Sequence, residues 1–236
     1  MTLLLYAVSS AELTITQHNK LKELGLAPCC QASLSGWVTS CTRAAVEATD
    51  RNHLLAYSQL LEAARQVTDL IPVRYGSVFD HAHALQQTLQ DYHAQFVSQL
   101  EKISGCVEMS VRVPIKRSAP ATSSAISSVV AQTTTSMSGR QYLAAKQRQL
   151  TQRHKILQLI MASVTGCYVN TCTDYLPTSA LLRIHFLVRQ SQLKSFKTGI
   201  TRLDVPQLFL SGPWAAYHFV SLEQISVGKN IKRNFT

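Results

Sequence analysis

The chain has 236 residues and a formal net charge of +10, with 46% hydrophobic and 15% charged residues. These proportions are typical of a folded protein and exclude a chain that is disordered throughout. No apolar run approaches the roughly 20 residues needed to cross a bilayer, so we expect a soluble, intracellular protein without a membrane span. Six cysteines are too few for a disulfide framework in so long a chain.

The first predicted domain is an α+β domain over residues 1–105, with three strands at Leu3–Val8, Ser33–Cys41 and Ile71–Tyr75. Asp50 is a favourable N-cap for a helix that ends before Pro72. The apolar face of this helix should consist of Leu54, Tyr57, Leu61 and Ala64.

A second, longer helix is predicted to complete this domain. The pattern Ser77-x-x-Asp80 is typical of a capping box at a helix start. Apolar residues then recur every three or four positions from Phe79 to Ile103, and Gly105 supplies a stop signal. We therefore expect one continuous helix about 37 Å long.

The second predicted domain covers residues 106–227. Alternation predicts a strand at Cys106–Pro114, with Glu108 on its polar face and paired with Arg74 or Arg112. A flexible Ser/Thr-rich insertion is expected at about 117–138, and a basic tail at 228–236. The pattern Ser138-x-x-Gln141 should open a basic helix that ends near Val164. Its expected inward residues are Leu143, Leu150, Leu157, Ile160 and Val164.

The remaining predicted elements are a strand at Leu181–Arg189, a short helix capped by Ser191, and strands at Gln207–Leu210 and Trp214–Val220. The last two should form a hairpin around a Gly-Pro break, and this hairpin would present aromatic side chains. The resulting order, β-α-β-α-β-β, is one hairpin away from the ferredoxin-like pattern. The fold class is therefore α+β in two domains. The C-terminal one should be a modified ferredoxin-like sheet of about four antiparallel strands with packed helices.

Charge is unevenly distributed along the chain. Residues 1–108 contain ten acidic and seven basic residues, whereas residues 109–236 contain three and sixteen. Such asymmetry favours an acidic partner, although a solvated basic face explains it equally well. Arg140, Arg148 and Lys155 should lie on the open side of the basic helix and are candidate partner contacts, as are Trp214 and Tyr217 of the hairpin.

Catalytic motifs are absent from the sequence. It has no glycine-rich dinucleotide loop, P-loop, nucleophile elbow or His-Glu-x-x-His. His81 and His83 would point about 200° apart on a helix, and Cys167 and Cys172 have no second pair at zinc spacing. We therefore expect no enzyme activity, no cofactor and no metal.

Five short segments, in this order and spacing, resemble the gas vesicle protein F/L family from the first strand to about Val220. The matching residues are Pro72, Arg74, Gly76, Glu108, Gly139, Tyr142, Leu143, Gly212, Pro213, Trp214, Tyr217 and Phe219, together with Phe186-Leu187-Val188. The chain departs from the family pattern at Ala215-Ala216, where prolines are usual, and at Met109, where an aromatic residue is usual.

This resemblance implies an α+β chain with a ferredoxin-like C-terminal portion, and a minor structural or assembly protein of the intracellular gas vesicle. It further implies that the chain contacts the hydrophobic main shell protein, keeps it from aggregating during nucleation, and associates with other accessory proteins. The alternative is a basic nucleic-acid-binding ferredoxin-like module. Against it, the sequence lacks the Lys/Arg-Gly-Phe type of motif of RNA recognition modules.

Overall fold

The computed structural model describes residues 2–48, 50–115, 139–176 and 180–221. The insertion predicted at about 117–138 and the tail at 228–236 lie outside these residues. The chain divides into two units. The first takes the described residues of Met1–Met109, Leu187–Gln190 and Gly212–Thr236, and the second takes those of Ser110–Phe186 and Ser191–Ser211.

The first unit is built on a five-stranded sheet. Its elements are β1 (Thr2–Ser10), α1 (Ile15–Glu23), β2 (Ala27–Gln31), β3 (Leu34–Cys41), α2 (Arg43–Glu47), α3 (Arg51–Val67), β4 (Ile71–Pro72), β5 (Val78–Phe79), α4 (Ala82–Asp91) and α5 (His93–Ile103). The sheet order is β2-β3-β1-β4, with β5 also pairing with β1. Strand β1 is antiparallel to β3, β4 and β5, and β2 is antiparallel to β3. This is a β-α-β-β-α-β topology with the split order of ferredoxin-like sheets.

Helix α3 confirms the predicted cap and most of the predicted apolar face. The Asp50 carboxylate accepts a hydrogen bond from the His53 backbone N–H at 2.9 Å. Tyr57, Leu61 and Ala64 are buried, and the Tyr57 hydroxyl donates to the carbonyl of Val73 at 2.7 Å. Leu54 is 42% exposed instead of buried, because it lies in the first turn of the helix.

The long helix predicted from Phe79 to Ile103 is wrong at both its start and its middle. Val78 and Phe79 form β5 and pair with β1, so the backbone at the supposed capping box is extended. His81 is the actual N-cap, and its Nδ1 accepts from the Ala84 N–H at 3.1 Å. The helix then breaks at Tyr92 (φ −108°, ψ 18°), which leaves the two helices α4 and α5.

The second sheet has the strand order β7-β8-β6-β9. Its elements are β6 (Cys106–Pro114), α6 (Gly139–Ser163), β7 (Asn170–Leu176), β8 (Leu181–Arg189), a 3₁₀ turn (Gln190–Gln192), α7 (Leu193–Thr201) and β9 (Phe209–Trp214). The division between the units falls within β6, β8 and β9. The order of elements is β-α-β-β-α-β, so the ferredoxin-like prediction is confirmed, whereas the predicted order β-α-β-α-β-β lacked β7.

The start of α7 differs from the prediction. Ser191 lies in the 3₁₀ turn, and the N-cap is Gln192, whose side chain makes no capping hydrogen bond. Phe196 and Ile200 are buried as expected from their spacing. Gly199 permits close packing in the second unit, because an added Cβ would lie 2.4 Å from the carbonyl oxygen of Ser163.

The predicted aromatic hairpin is wrong. Strand β9 runs without interruption through Gly212 and Pro213 to Trp214, and residues 217–219 form a turn. At Gly212, φ is +116° and an added Cβ would lie 2.7 Å from the Glu108 carbonyl oxygen. The glycine therefore serves a close backbone approach within the first unit and does not open a hairpin.

Residues after β9 pack into the core of the first unit. Ala215 joins the cluster around Trp37, and Ala216 joins the larger cluster, with Phe219 and Val220 packed against it. Among the described residues, no helix is long and apolar enough to span a membrane.

Candidate partner-binding surface

Helix α6 of the second unit carries three of the five residues predicted as partner contacts. It is 25 residues long and contains no acidic residue. Arg140, Arg148 and Lys155 are all exposed, as their predicted place on the open side requires. The helix therefore presents a stripe of cations to solvent.

The predicted inward face of α6 is correct at its C-terminal end and wrong at its N-terminal end. Ile160 and Val164 are fully buried and Leu157 is partly buried. Leu143 and Leu150 are 64% and 53% exposed. Periodicity places these residues on one face, but only the last turns of that face are covered by described residues.

Two contacts hold the middle of α6 against β7. The Gln149 side-chain amide donates to the Tyr175 hydroxyl at 2.7 Å. The Arg153 guanidinium lies 4.9 Å from the centre of the Tyr175 ring, within the range of a cation–π interaction. A shallow groove beside the helix is lined by Ala144, Gln147, Arg148, Thr151, Gln152, Lys155 and Ile156.

Trp214 and Tyr217 are 45% and 40% exposed in the first unit, but they do not share a strand. The pKa of the Tyr217 hydroxyl is raised to about 12. The largest cause is burial of the side chain, and the nearby carboxylates of Glu108 and Glu62 add to it. Trp214 lies at the end of β9 and Tyr217 lies in the turn that follows. Any apolar patch that they present is therefore formed by these two elements and not by one strand.

Glu108 is 2% exposed and binds His218. One carboxylate oxygen accepts from the His218 backbone N–H at 3.0 Å, and the other lies 2.7 Å from the His218 Nδ1. The partners expected for Glu108 were Arg74 or Arg112, and its contact with His218 was not predicted because 110 residues separate the two positions. Arg112 is exposed, and its guanidinium lies 6.0 Å from the centre of the Phe209 ring.

A second buried polar pair, in the second unit, was also missed. Ser110 and His185 are both buried, and the Ser110 hydroxyl lies 2.9 Å from the His185 Nδ1. Ser110 lies two residues after Glu108, so the alternation of the strand predicts it on the same polar face. Burial on both faces of β6 explains why its polar side chains need partners.

The other family-motif residues have structural positions. Pro72 is buried in β4 and lies opposite Ala7. Arg74 and Gly76 belong to the turn before β5, where Gly76 has φ +92° and the Arg74 carbonyl accepts from the Ser77 hydroxyl. Gly139 is the first residue of α6, and Tyr142 is 55% exposed beside Leu143.

Two split ferredoxin-like sheets and an exposed basic helix define an α+β protein suited to binding another macromolecule. The family model described as gas vesicle synthesis protein GvpL/GvpF matches residues 3–221. The chain therefore belongs to the GvpL/GvpF family, a family of structural gas vesicle proteins.

Two solved structures share this fold. The crystal structure of the gas vesicle protein GvpF from Anabaena sp. PCC7120 matches 93% of this chain and 96% of that chain, with a TM-score of 0.68 and 17% identity. That of GvpF from Microcystis aeruginosa matches 94% and 99%, with a TM-score of 0.70 and 15% identity. A search of curated proteins found no match.

Proposed function

We propose that this chain is a minor structural and assembly protein of the gas vesicle that contacts the hydrophobic main shell protein and keeps it from aggregating during nucleation. Family membership supports the organelle. The observation that carries the contact is α6, where exposed cations and two exposed leucines stand on one folded helix. Such a mixed surface suits a partner that is partly apolar and partly acidic.

In this proposal the chain acts by binding and is not an enzyme, and its place is the gas vesicle inside the cell. Arg140, Arg148 and Lys155 steer association, because exposed cations raise the rate of encounter with an acidic surface. Trp214 and Tyr217 add a smaller aromatic contact. Other gas vesicle accessory proteins are further partners of the same kind.

The test is co-expression of this chain with the main shell protein of the same organism, followed by affinity capture at moderate salt. We expect the shell protein to be retained and to stay in the soluble fraction. Capture of the folded chain without the shell protein would contradict the proposal.

The net charge of +10 keeps nucleic-acid binding as the second candidate. Co-purified RNA or DNA whose binding falls steeply with salt, together with no retention of the shell protein, would favour this second function.

A further inference from the structure

Three leucines on α6 form a single stripe along the helix. Leu143, Leu150 and Leu157 are spaced seven residues apart, and seven residues return to within about 20° of the same direction on an α-helix. They span about 21 Å of helix. The first two are more than half exposed and the third is partly buried. We call these three residues the leucine seam.

The seam is narrow. Lys146 and Arg153 flank it on one side and Gln147 and His154 on the other, so polar side chains border it along its length. The seam supplies one leucine per heptad, where a coiled coil has two apolar positions, but its width matches the contact of a single helix. A helix that lies in a lipid interface has a broad apolar face instead. The width of the seam therefore favours a helix as its occupant.

Charge indicates what kind of helix fits. Helix α6 has no acidic residue and five Lys or Arg residues, namely Arg140, Lys146, Arg148, Arg153 and Lys155. A second copy of α6 would bring its own Lys146 and Arg153 to the seam and has no acidic residue to pair with them, which disfavours self-association. A helix with Glu or Asp beside its apolar stripe would place opposite charges there.

We propose that the leucine seam docks an acidic amphipathic helix of another protein. The leucines and the cations beside them indicate that the partner helix has an apolar stripe and acidic side chains. The identification of this partner as a gas vesicle protein rests on the proposed function. Contacts of Gln149 and Arg153 with Tyr175 already hold the middle of α6 in place. The partner therefore meets a preformed surface, which lowers the entropic cost of docking.

The probe is a designed 21-residue peptide, at about three heptads the usual minimum for helix pairing, with Leu at positions a and d and Glu at e and g. Its matched control has Lys in place of every Glu. Binding to the full chain is measured by fluorescence anisotropy at low and moderate salt. We expect the Leu/Glu peptide to bind and the Leu/Lys peptide not to bind.

Two matched pairs of variants locate the site. L143S/L150S removes the exposed seam, and I15S/L55S removes two similarly exposed aliphatic side chains from the first unit (81% and 56% exposed). We expect the first to weaken peptide binding at least tenfold, because two leucines are no longer buried in the complex, and the second to leave it unchanged. Circular dichroism checks that both variants are folded.

The second pair separates the seam from general charge. Lys146 lies three residues after Leu143 and four before Leu150, next to the seam, whereas Arg148 lies about 160° around the helix from Leu150. Both are exposed. K146E should therefore weaken binding more than R148E, although both change the net charge by the same amount.

Equal peptide binding by wild-type and L143S/L150S would overturn the proposal, as would equal loss in K146E and R148E. Failure of the Leu/Glu peptide, combined with seam-dependent binding to vesicles of phosphatidylglycerol and phosphatidylcholine, would overturn it in favour of a membrane surface. The peptide contains no gas vesicle sequence. A bound peptide with no capture of the shell protein would therefore support the seam and contradict the proposed function.

Discussion

The two units share one topology and use it differently. Both order their strands as 2-3-1-4 of a β-α-β-β-α-β unit. In the first, α3 buries Tyr57, Leu61 and Ala64 and carries an ion pair between Glu62 and Arg65. In the second, α7 takes the position of α3 between the third and fourth strands and buries Phe196 and Ile200. By contrast, α6, which connects the first and second strands, has no acidic residue and exposes two leucines. Topology thus fixes where a helix runs, whereas its side chains decide whether it closes a core or offers a surface.

The largest loss of stability is expected from G212A, which disturbs a close backbone contact in the first unit. G212A combines a φ of +116° with a Cβ 2.7 Å from the Glu108 carbonyl oxygen and 2.9 Å from the Met109 sulfur. Strain and overpacking should together lower the free energy of unfolding by about 3–5 kcal/mol. Urea titration followed by tryptophan fluorescence measures this unit, which contains both Trp37 and Trp214.

The matched control for that variant is G25A. Gly25 has φ +83° but nothing lies within 4 Å of its added Cβ, so only the backbone strain of about 1 kcal/mol should appear. An equal decrease in the free energy of unfolding of G212A and G25A would show that the close contact between Gly212 and the Glu108 carbonyl does not contribute to stability.

The second unit should respond less to its own tight glycine. G199A brings a Cβ to 2.4 Å from the Ser163 carbonyl oxygen, but φ is ordinary and alanine favours helix. We expect a loss of about 1–3 kcal/mol, measured by urea titration with far-UV circular dichroism. G139A, where the Cβ meets open space, is the control and should stay near wild type. If G199A has the same free energy of unfolding as wild type, α7 can move away from the end of α6 without a loss of stability.

Alkaline pH should weaken the first unit through its tyrosines. Burial raises the pKa of Tyr57 well above its ordinary value and, with Glu108 and Glu62, raises the pKa of Tyr217 to about 12. Because folding raises these pKa values, their stabilising contribution is complete below about pH 10 and is lost as the pH rises towards 12. Melting temperatures from pH 8 to 11.5 should therefore fall more steeply for wild type than for Y217F. If the melting temperatures of wild type and Y217F fall equally with pH, the ionisation of Tyr217 does not cause the loss of stability.

The smallest stability effect is expected on the open side of α6. R148E/K155E changes two exposed side chains and should alter the free energy of unfolding by about 0.5 kcal/mol or less. Binding of the shell protein should weaken mainly at low salt, where charge interactions reach furthest. K20E/K22E makes the same charge change on α1 of the first unit and should bind normally. If R148E/K155E and K20E/K22E bind the shell protein equally well at all salt concentrations, the α6 cations serve solubility and not binding.

Strands with strong local patterns were predictable. The bounds of β6 and β8 match Cys106–Pro114 and Leu181–Arg189, because β6 alternates apolar and polar residues and β8 is a run rich in apolar residues. The Asp50 cap of α3 was predictable for the same reason, since it depends on residues three positions apart. Local rules suffice where the forces are local.

Elements that depend on distant residues were not predictable. The turn after Trp214 is fixed by packing into the first unit and by Glu108, far along the chain. Strand β2 was missed because it contains Pro28, which is tolerated there since β2 is an edge strand. Exposure of Leu143 on α6 was missed because periodicity defines a face without saying what covers it.

The first unit is discontinuous in the chain, and this has a consequence for its synthesis. Its core contains Leu187 and Ala216, and the backbone carbonyl of Ser221 accepts hydrogen bonds from Gln95 and Gln99. The ribosome therefore makes the strands of the first sheet long before it makes the residues that close their core. Until residue 221 has left the exit tunnel, the nascent first unit exposes apolar side chains that the finished protein buries, so assistance from a general chaperone would matter most during that interval.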